Sequence, residues 1–180
     1  MGKIYYVMGK SASGKDTIYK RLVKKMPELG TVRMYTTRPI RDGETNGVEY
    51  IFTDEKQLQA MKDAGKVIEC RTYDTIYGPW SYFTADDGQI DLGSCSYLMM
   101  GTLESYEGLC KYYGAEVMVP LYIHVEDGVR LQRALNRENT QKNPKYAEMC
   151  RRFLADEKDF SKERLDQCGI IKQYENTGIE

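Results

Sequence analysis

The feature that most constrains this chain is the stretch Gly9-Lys10-Ser11-Ala12-Ser13-Gly14-Lys15-Asp16-Thr17, directly after the apolar run Ile4-Tyr5-Tyr6-Val7-Met8. A strand, a loop of the form G-x-x-x-x-G-K and then a helical pattern is the order that a phosphate-binding loop requires. Two glycines and small residues let the backbone curl until successive N–H groups point into one concavity. The helix N-terminus adds its partial positive charge at the same spot. Gly9, Ser11, Ala12, Ser13, Gly14 and Lys15 therefore form a candidate cradle for ATP, with Lys15 reaching the β- and γ-phosphates. Asp16 stands where such a loop ordinarily carries Ser or Thr for Mg²⁺, and Thr17 follows it. Both are candidate metal-facing residues.

Beyond the loop, Ile18, Leu22 and Met26 recur every four residues, which predicts an amphipathic helix that Pro27 helps to end. Residues 31–37 are rich in β-branched side chains and read as one strand, followed by a polar loop over 38–47. Tyr50-Ile51-Phe52 reads as a short strand, and Asp54 as the N-cap of a helix that Gly65 ends. Residues 67–70 and 73–83 look extended, with Gly78-Pro79 forcing a turn. The α/β pattern then resumes with a buried strand at Tyr97-Leu98-Met99-Met100. A helix with Leu103, Tyr106, Cys110 and Tyr113 on its inner face follows, then a strand over 117–125 and a helix over 127–136. Tyr146, Met149, Phe153 and Phe160 keep helical spacing, and Ile170-Ile171 opens a last short strand. Strands alternating with helices imply a parallel sheet covered on both faces.

The 180 residues suffice for one domain with a sizeable core, and a net charge of −1 argues against a general nucleic-acid binder. Five cysteines with no C-x-x-C pairing fit thiols in a reducing compartment rather than a zinc site or a disulfide scaffold. No N-terminal apolar segment is long enough to span a bilayer, so the chain reads as cytoplasmic, with no membrane partner. His124, the sole histidine, lies in an apolar strand and reads as structural.

Thr36-Thr37-Arg38-Pro39-Ile40-Arg41-Asp42-Gly43-Glu44-Thr45-Asn46-Gly47-Val48-Glu49-Tyr50 is the second informative stretch. Arginine forks chelate phosphate oxygens and a phenol adds a donor, so two arginines and a tyrosine could converge on one phosphate; a solvated charged loop is the plainer alternative. The stretch resembles the T-T-R-x-x-R-x-G-E-x-x-G-x-x-Y signature of guanylate kinases, in the P-loop nucleoside monophosphate kinase group. Val67-Ile68-Glu69, Tyr77-Gly78 and an arginine-rich segment near 130–152 extend the likeness.

This resemblance implies a P-loop α/β kinase fold with a central parallel sheet. The core would be residues 1–35 and 91–180, the monophosphate-binding β-rich insertion about 36–90, and a helical lid about 133–150. It implies that Arg38, Arg41, Tyr50 and Tyr77 bind the acceptor phosphate and that Glu69 accepts from the guanine N1 and N2 edge. Arg133, Arg137 and Arg152 would clamp the transferring group, and Asn176 would lie near adenine. Arg130 and Arg151 read as ordinary ion-paired helix residues. The implied activity is Mg²⁺-dependent transfer from ATP to a nucleoside monophosphate, GMP first, with small-molecule nucleotides as partners and the oligomeric state left open. Departures are Met34 in place of a base-contacting Ser, and Leu98–Thr102 in place of a strand-end Asp-x-Asp. The segment after Tyr77 also reads poorly as the helix the family has there. Two alternatives stay open. One is a kinase for another phosphorylated small molecule, since Gly14-Lys15-Asp16-Thr17 resembles ribose 1,5-bisphosphate kinases. The other is an inactive guanylate-kinase-like protein-binding module.

Overall fold

The computed structural model describes residues 1–75 and 78–178. β1 (Ile4–Met8) is buried along nearly its whole length, as a strand covered on both faces must be. It feeds the glycine loop and then α1 (Lys15–Lys25). Ile18, Leu22 and Met26 make the inner face of α1, but each is only half-buried.

The strand expected over 31–37 is two short strands in two different sheets. β2 (Gly30–Thr31) pairs parallel with β7 (Tyr97–Met100), whereas β3 (Tyr35–Thr36) pairs with β4 (Ile51–Phe52) and β6 (Gly78–Ala85). The break has a side-chain cause. Gln89 accepts from the Arg33 N–H at 2.8 Å and donates to the Arg33 carbonyl at 3.1 Å, so one amide takes both backbone groups that a ladder would use.

One sheet has the order β2-β7-β1-β8-β9, with β8 spanning Met118–His124 and β9 spanning Gln173–Glu175. The other has the order β4-β3-β6-β5, with β5 spanning Val67–Thr75. β5 and β6 form a long antiparallel hairpin in register from Glu69↔Thr84 to Thr75↔Gly78. The residues after 77 are therefore strand, in keeping with their poor helical pattern. α2 (Glu55–Asp63) is capped by Asp54, which accepts from the Gln57 N–H, and packs Leu58 and Met61 against Phe83 and Ala85.

α3 (Leu103–Tyr113) follows β7, burying Leu103, Tyr106 and Leu109, with Cys110 and Tyr113 half-buried. α4 (Asp127–Asn139), α5 (Tyr146–Asp159) and α6 (Lys162–Gln167) complete the helices. The last strand is displaced from its expected place. Ile170 is buried as core and Ile171 is exposed, and pairing starts only at Gln173. No helix among the described residues is long and apolar enough to cross a membrane.

The chain divides into two compact units. One comprises Met1–Ile4, Glu28–Leu98 and Gly108–Met118; the other comprises Tyr5–Pro27, Met99–Glu107 and Val119–Glu180.

Candidate functional site

The glycine loop lies in the second unit. Ala12 and Gly14 both adopt positive φ, 61° and 82°. At Gly14 a Cβ would also meet the Asn176 side-chain nitrogen at 2.5 Å, so both conformation and space demand glycine. Gly14 is the N-cap of α1 and offers no capping side chain, unlike Asp54 of α2 or Ser161 of α6. The first-turn N–H groups of Lys15, Asp16 and Thr17 have no intrahelical acceptor, which is what an anion needs. Lys15 stands at the first helical position with its ammonium 3.7 Å from Asp16 Oδ1, while Asp16 and Thr17 are exposed. Asn176 braces the loop from β9's end, donating to the Ser13 carbonyl at 2.8 Å and fixed by its own N–H on His124 O. His124 itself is partnered by Glu175 at 2.8 Å.

Arg133 reaches the same corner, donating from Nη2 to the Asn176 carbonyl at 3.2 Å. Its Nη1 is buried without a hydrogen-bond partner, as is Ser13 Oγ. Buried donors are rarely left unpaired, and a guanidinium corner beside an open loop suits an anionic oxygen. Arg137 is exposed one turn further along α4. Arg152 lies on α5, where its Nε donates to Glu148 Oε1 at 2.9 Å; Arg151 binds the same carboxylate with two bonds. These hydrogen bonds, Arg151's first, hold the Glu148 carboxyl down at about 2. Of the three expected cations, then, Arg133 is tied to the loop corner through Asn176, and Arg152 is held along its own helix.

Arg130 is not the ordinary helix-surface residue that the sequence suggests. It is 1% exposed, with ion pairs to Asp127 at 2.7 Å and Glu157 at 2.9 Å. The i,i+3 spacing to Asp127 was legible, but burial comes from α5, which local sequence does not show.

The monophosphate candidates lie in the first unit. Arg38 is 3% exposed and binds Glu44 through both Nη atoms, at 2.8 and 2.6 Å, and the Pro39 carbonyl at 2.9 Å. Its guanidinium stands 5.4 Å from the Tyr50 ring centroid and 5.2 Å from that of Phe52. Burying a cation requires such partners. Glu44 also accepts from the Arg41 N–H, while the Arg41 side chain is exposed. Burial pushes the Tyr50 hydroxyl up, reinforced by Tyr82 and opposed by Arg38. Tyr77 lies outside the described residues. Tyr82 on β6 packs edge-on against Tyr50.

The Arg38 hydrogen bond holds the Glu44 carboxyl down at about 2, against burial, which raises it. A carboxylate whose folded value lies below its unfolded one lends stability above the ordinary carboxylate range, and loses it as pH falls toward the folded value. Melting temperature should therefore fall between about pH 4.5 and 2. Glu44→Gln should flatten that acid limb in calorimetric scans; an unaltered limb would show that the pair does not contribute.

Glu69 is buried and committed at both oxygens. Oε2 accepts from Arg71 Nε at 3.0 Å and Oε1 from Thr84 Oγ1 at 2.7 Å. Arg71 Nη2 points to Met34 Sδ at 3.8 Å. α3 approaches so closely that a Cβ on Gly108 would fall 2.5 Å from Glu69 Cβ.

Residues 1–81 match the guanylate kinase family model, covering the loop, the arginine pair and Glu69. The likeness to guanylate kinases lies in this N-terminal part, a little under half of the chain. Guanylate kinase from Legionella pneumophila (strain Paris) is 37% identical over 78 residues, 43% of this chain and 37% of that protein. The Coxiella burnetii guanylate kinase is 37% identical over 76 residues, 42% and 37% of the respective chains. The match thus spans little more than a third of these relatives. The solved guanylate kinase from Anaplasma phagocytophilum is similar over 98% of this chain and 78% of its own, with a TM-score of 0.59 and 19% identity. That likeness is one of fold.

Arg71, Thr84 and Tyr82 touch the candidate residues although the sequence reading gave them no role, and Glu44 entered it only as the E of the signature. Glu69 and Arg71 are two apart on β5 and share a face, so period-2 alternation was a usable signal. Thr84 and Tyr82 come from the partner strand, and their positions depend on a register that shifts between Val67 and Glu69.

Proposed function

We propose that this chain transfers the γ-phosphoryl group of ATP to a nucleoside monophosphate, with GMP the first acceptor. The observation that carries this is the uncapped loop–helix junction, where left-handed Ala12 and Gly14 present open first-turn N–H groups beside Lys15. An acceptor phosphate oxygen attacks the γ-phosphorus in line, the bond to the β–γ bridging oxygen breaks, and ADP leaves. Lys15 and the loop amides hold the triphosphate, and Arg133 offers its unpaired Nη1 to the transferring group. Arg137 approaches as the lid, about 133–150, closes and excludes water, and Arg152 is offered from α5 beside it. Arg38, Arg41 and Tyr50 hold the acceptor phosphate. A coupled assay of ADP formation across nucleoside and sugar monophosphates tests the whole reading, and turnover with none of them would favour a protein-binding module.

Mg²⁺ would arrive with ATP. Among the described residues no cluster of three or more His, Cys, Asp or Glu side chains could hold a metal. One carboxylate and one hydroxyl, Asp16 and Thr17, suit an ion that takes its other ligands from phosphate and water. Asp16 and Thr17 would hold the ion, which would supply neutralisation of the phosphate charge. Without it, Asp16 and the triphosphate repel. Asp16→Asn should therefore raise the Mg²⁺ needed for half-maximal turnover and improve binding of metal-free ATP. An unchanged Mg²⁺ titration together with unchanged metal-free affinity would reduce Asp16 to a helix-dipole role.

The Glu69–Arg71–Thr84 arrangement favours a second, broader reading of the acceptor. Taking guanine N1 and N2 donors would add them to a carboxylate whose two oxygens are already engaged, and Met34 offers no hydroxyl. A site that does not depend on several hydrogen bonds to the base discriminates by only about 1–3 kcal/mol. GMP should thus lead AMP by a modest factor in kcat/KM, or another phosphorylated acceptor should win. A GMP preference of roughly 10⁴ or more would rule this out.

A further inference from the structure

We infer that Arg130 and Asp156 are positioning residues that clamp the phosphate loop at Ser11 and thereby set where Arg152 stands; this rests on the loop being a triphosphate site. Asp156 Oδ2 accepts from the Ser11 N–H at 2.8 Å, and Arg130 Nη1 donates to the Ser11 carbonyl at 3.0 Å. Both polar backbone groups of one loop residue are thus taken by side chains, one from α5 and one from α4.

The clamp is built from the inside. Arg130 is 1% exposed, its charge met by Asp127 at 2.7 Å, Glu157 at 2.9 Å and Asp156 at 3.5 Å, with the Phe153 ring centroid 4.6 Å away. Lys10 uses the same acids, with Glu157 at 2.6 Å and Asp127 at 3.4 Å, so its ammonium is anchored at the base of the loop. A cluster that merely cemented α4 to α5 would need no loop backbone. This one fixes the residue directly before Ala12, a non-glycine at φ 61°. Such a conformation persists only where its surroundings over-determine it. Ser11 is held on one side of it, and the Asn176–Ser13 bond on the other.

Glu148, Arg152 and Asp156 fall at i, i+4 and i+8 on α5, one stripe of the helix. Anchoring Asp156 to the loop therefore places Arg152 one turn, about 6 Å, up the helix from the anchor. The angle and register at which Arg152 is offered follow from the Ser11 contact.

The test uses Asp156→Ala, Asp156→Asn and Arg130→Met, with ATP and GMP binding measured separately by calorimetry and the Ser11 amide followed by ¹H–¹⁵N spectroscopy. Asp156→Ala and Arg130→Met should weaken ATP at least about tenfold, the scale of a charge-assisted contact, while GMP affinity stays within about twofold. Asp156→Asn, whose amide oxygen still accepts from Ser11, should recover most of the loss. The Ser11 amide resonance should move in Asp156→Ala. Unchanged ATP affinity in Asp156→Ala, failure of Asp156→Asn to rescue, or equal loss of both ligands would each overturn the clamp. Should the wild-type protein bind no ATP, the triphosphate reading fails, and the Ser11 resonance alone then decides whether the contact exists.

Discussion

Lys15→Met is expected to lower the phosphoryl-transfer rate by at least ~10²-fold, since deleting one preorganised donor to developing transition-state charge typically costs about 10²–10³. Lys15 sits at the first position of α1, where the helix end and the open loop amides already favour anions. Its neighbour Asp16 is an exposed carboxylate at 3.7 Å, a pairing that contributes little to stability in water. Methionine keeps most of the stem length and removes the charge. The melting temperature should therefore stay close to that of the wild type while turnover collapses, a separation readable from one steady-state assay and one thermal scan. A kcat within tenfold of wild type would show that the glycine loop is not the donor site.

The loop was legible because everything that makes it is local: an apolar strand, glycines at fixed offsets and a lysine at the helix start. The Asp54 cap was legible for the same reason, whereas the stretch 36–50 was singled out by its likeness to a family signature. Elements that depend on distant side chains were not. The break at Arg33 is made by Gln89, and no propensity in residues 31–37 announces it. α6 is one and a half turns capped by Ser161, too short to give a period, and Phe160 before it closes the preceding helix. Ile170 and Ile171 look alike in sequence, yet one is core and the other is exposed, because the chain reaches the sheet edge only at Gln173. Arg130 shows the same limit in the site. Its helix neighbours name one partner, Asp127, while the contacts that bury it come from α5 and from a loop 119 residues earlier. The general lesson is physical: local pattern fixes which segments can carry chemistry, and tertiary ion pairs decide which of their side chains remain available for it.

Arg38 shows how that availability would govern the proposed acceptor site. Glu44 occupies the Nη1–Nη2 edge of its guanidinium, and the aromatic rings of Tyr50 and Phe52 lie about it. On the proposed reading, Glu44 orients this fork toward an acceptor phosphate rather than competing with it. Arg38→Ala removes the buried cation and leaves Glu44, half-buried at 18% exposure, without its counter-charge. Breaking a fully buried pair by deleting one partner costs about 3–5 kcal/mol, an upper bound for this half-buried one, of which part appears as lost stability and part as lost binding. Acceptor affinity is expected to fall at least about 100-fold, with ATP affinity nearly intact. Glu44→Gln, which keeps a hydrogen-bonding shape, should weaken the acceptor by a smaller factor. In the double variant, Arg38→Ala with Glu44→Gln, melting should recover relative to Arg38→Ala alone, but acceptor binding should not. Calorimetry in which Glu44→Gln tightens the acceptor would mean that the carboxylate competes for the fork. Equal losses of ATP and acceptor in Arg38→Ala would mean that Arg38 supports the fold and does not bind the phosphate.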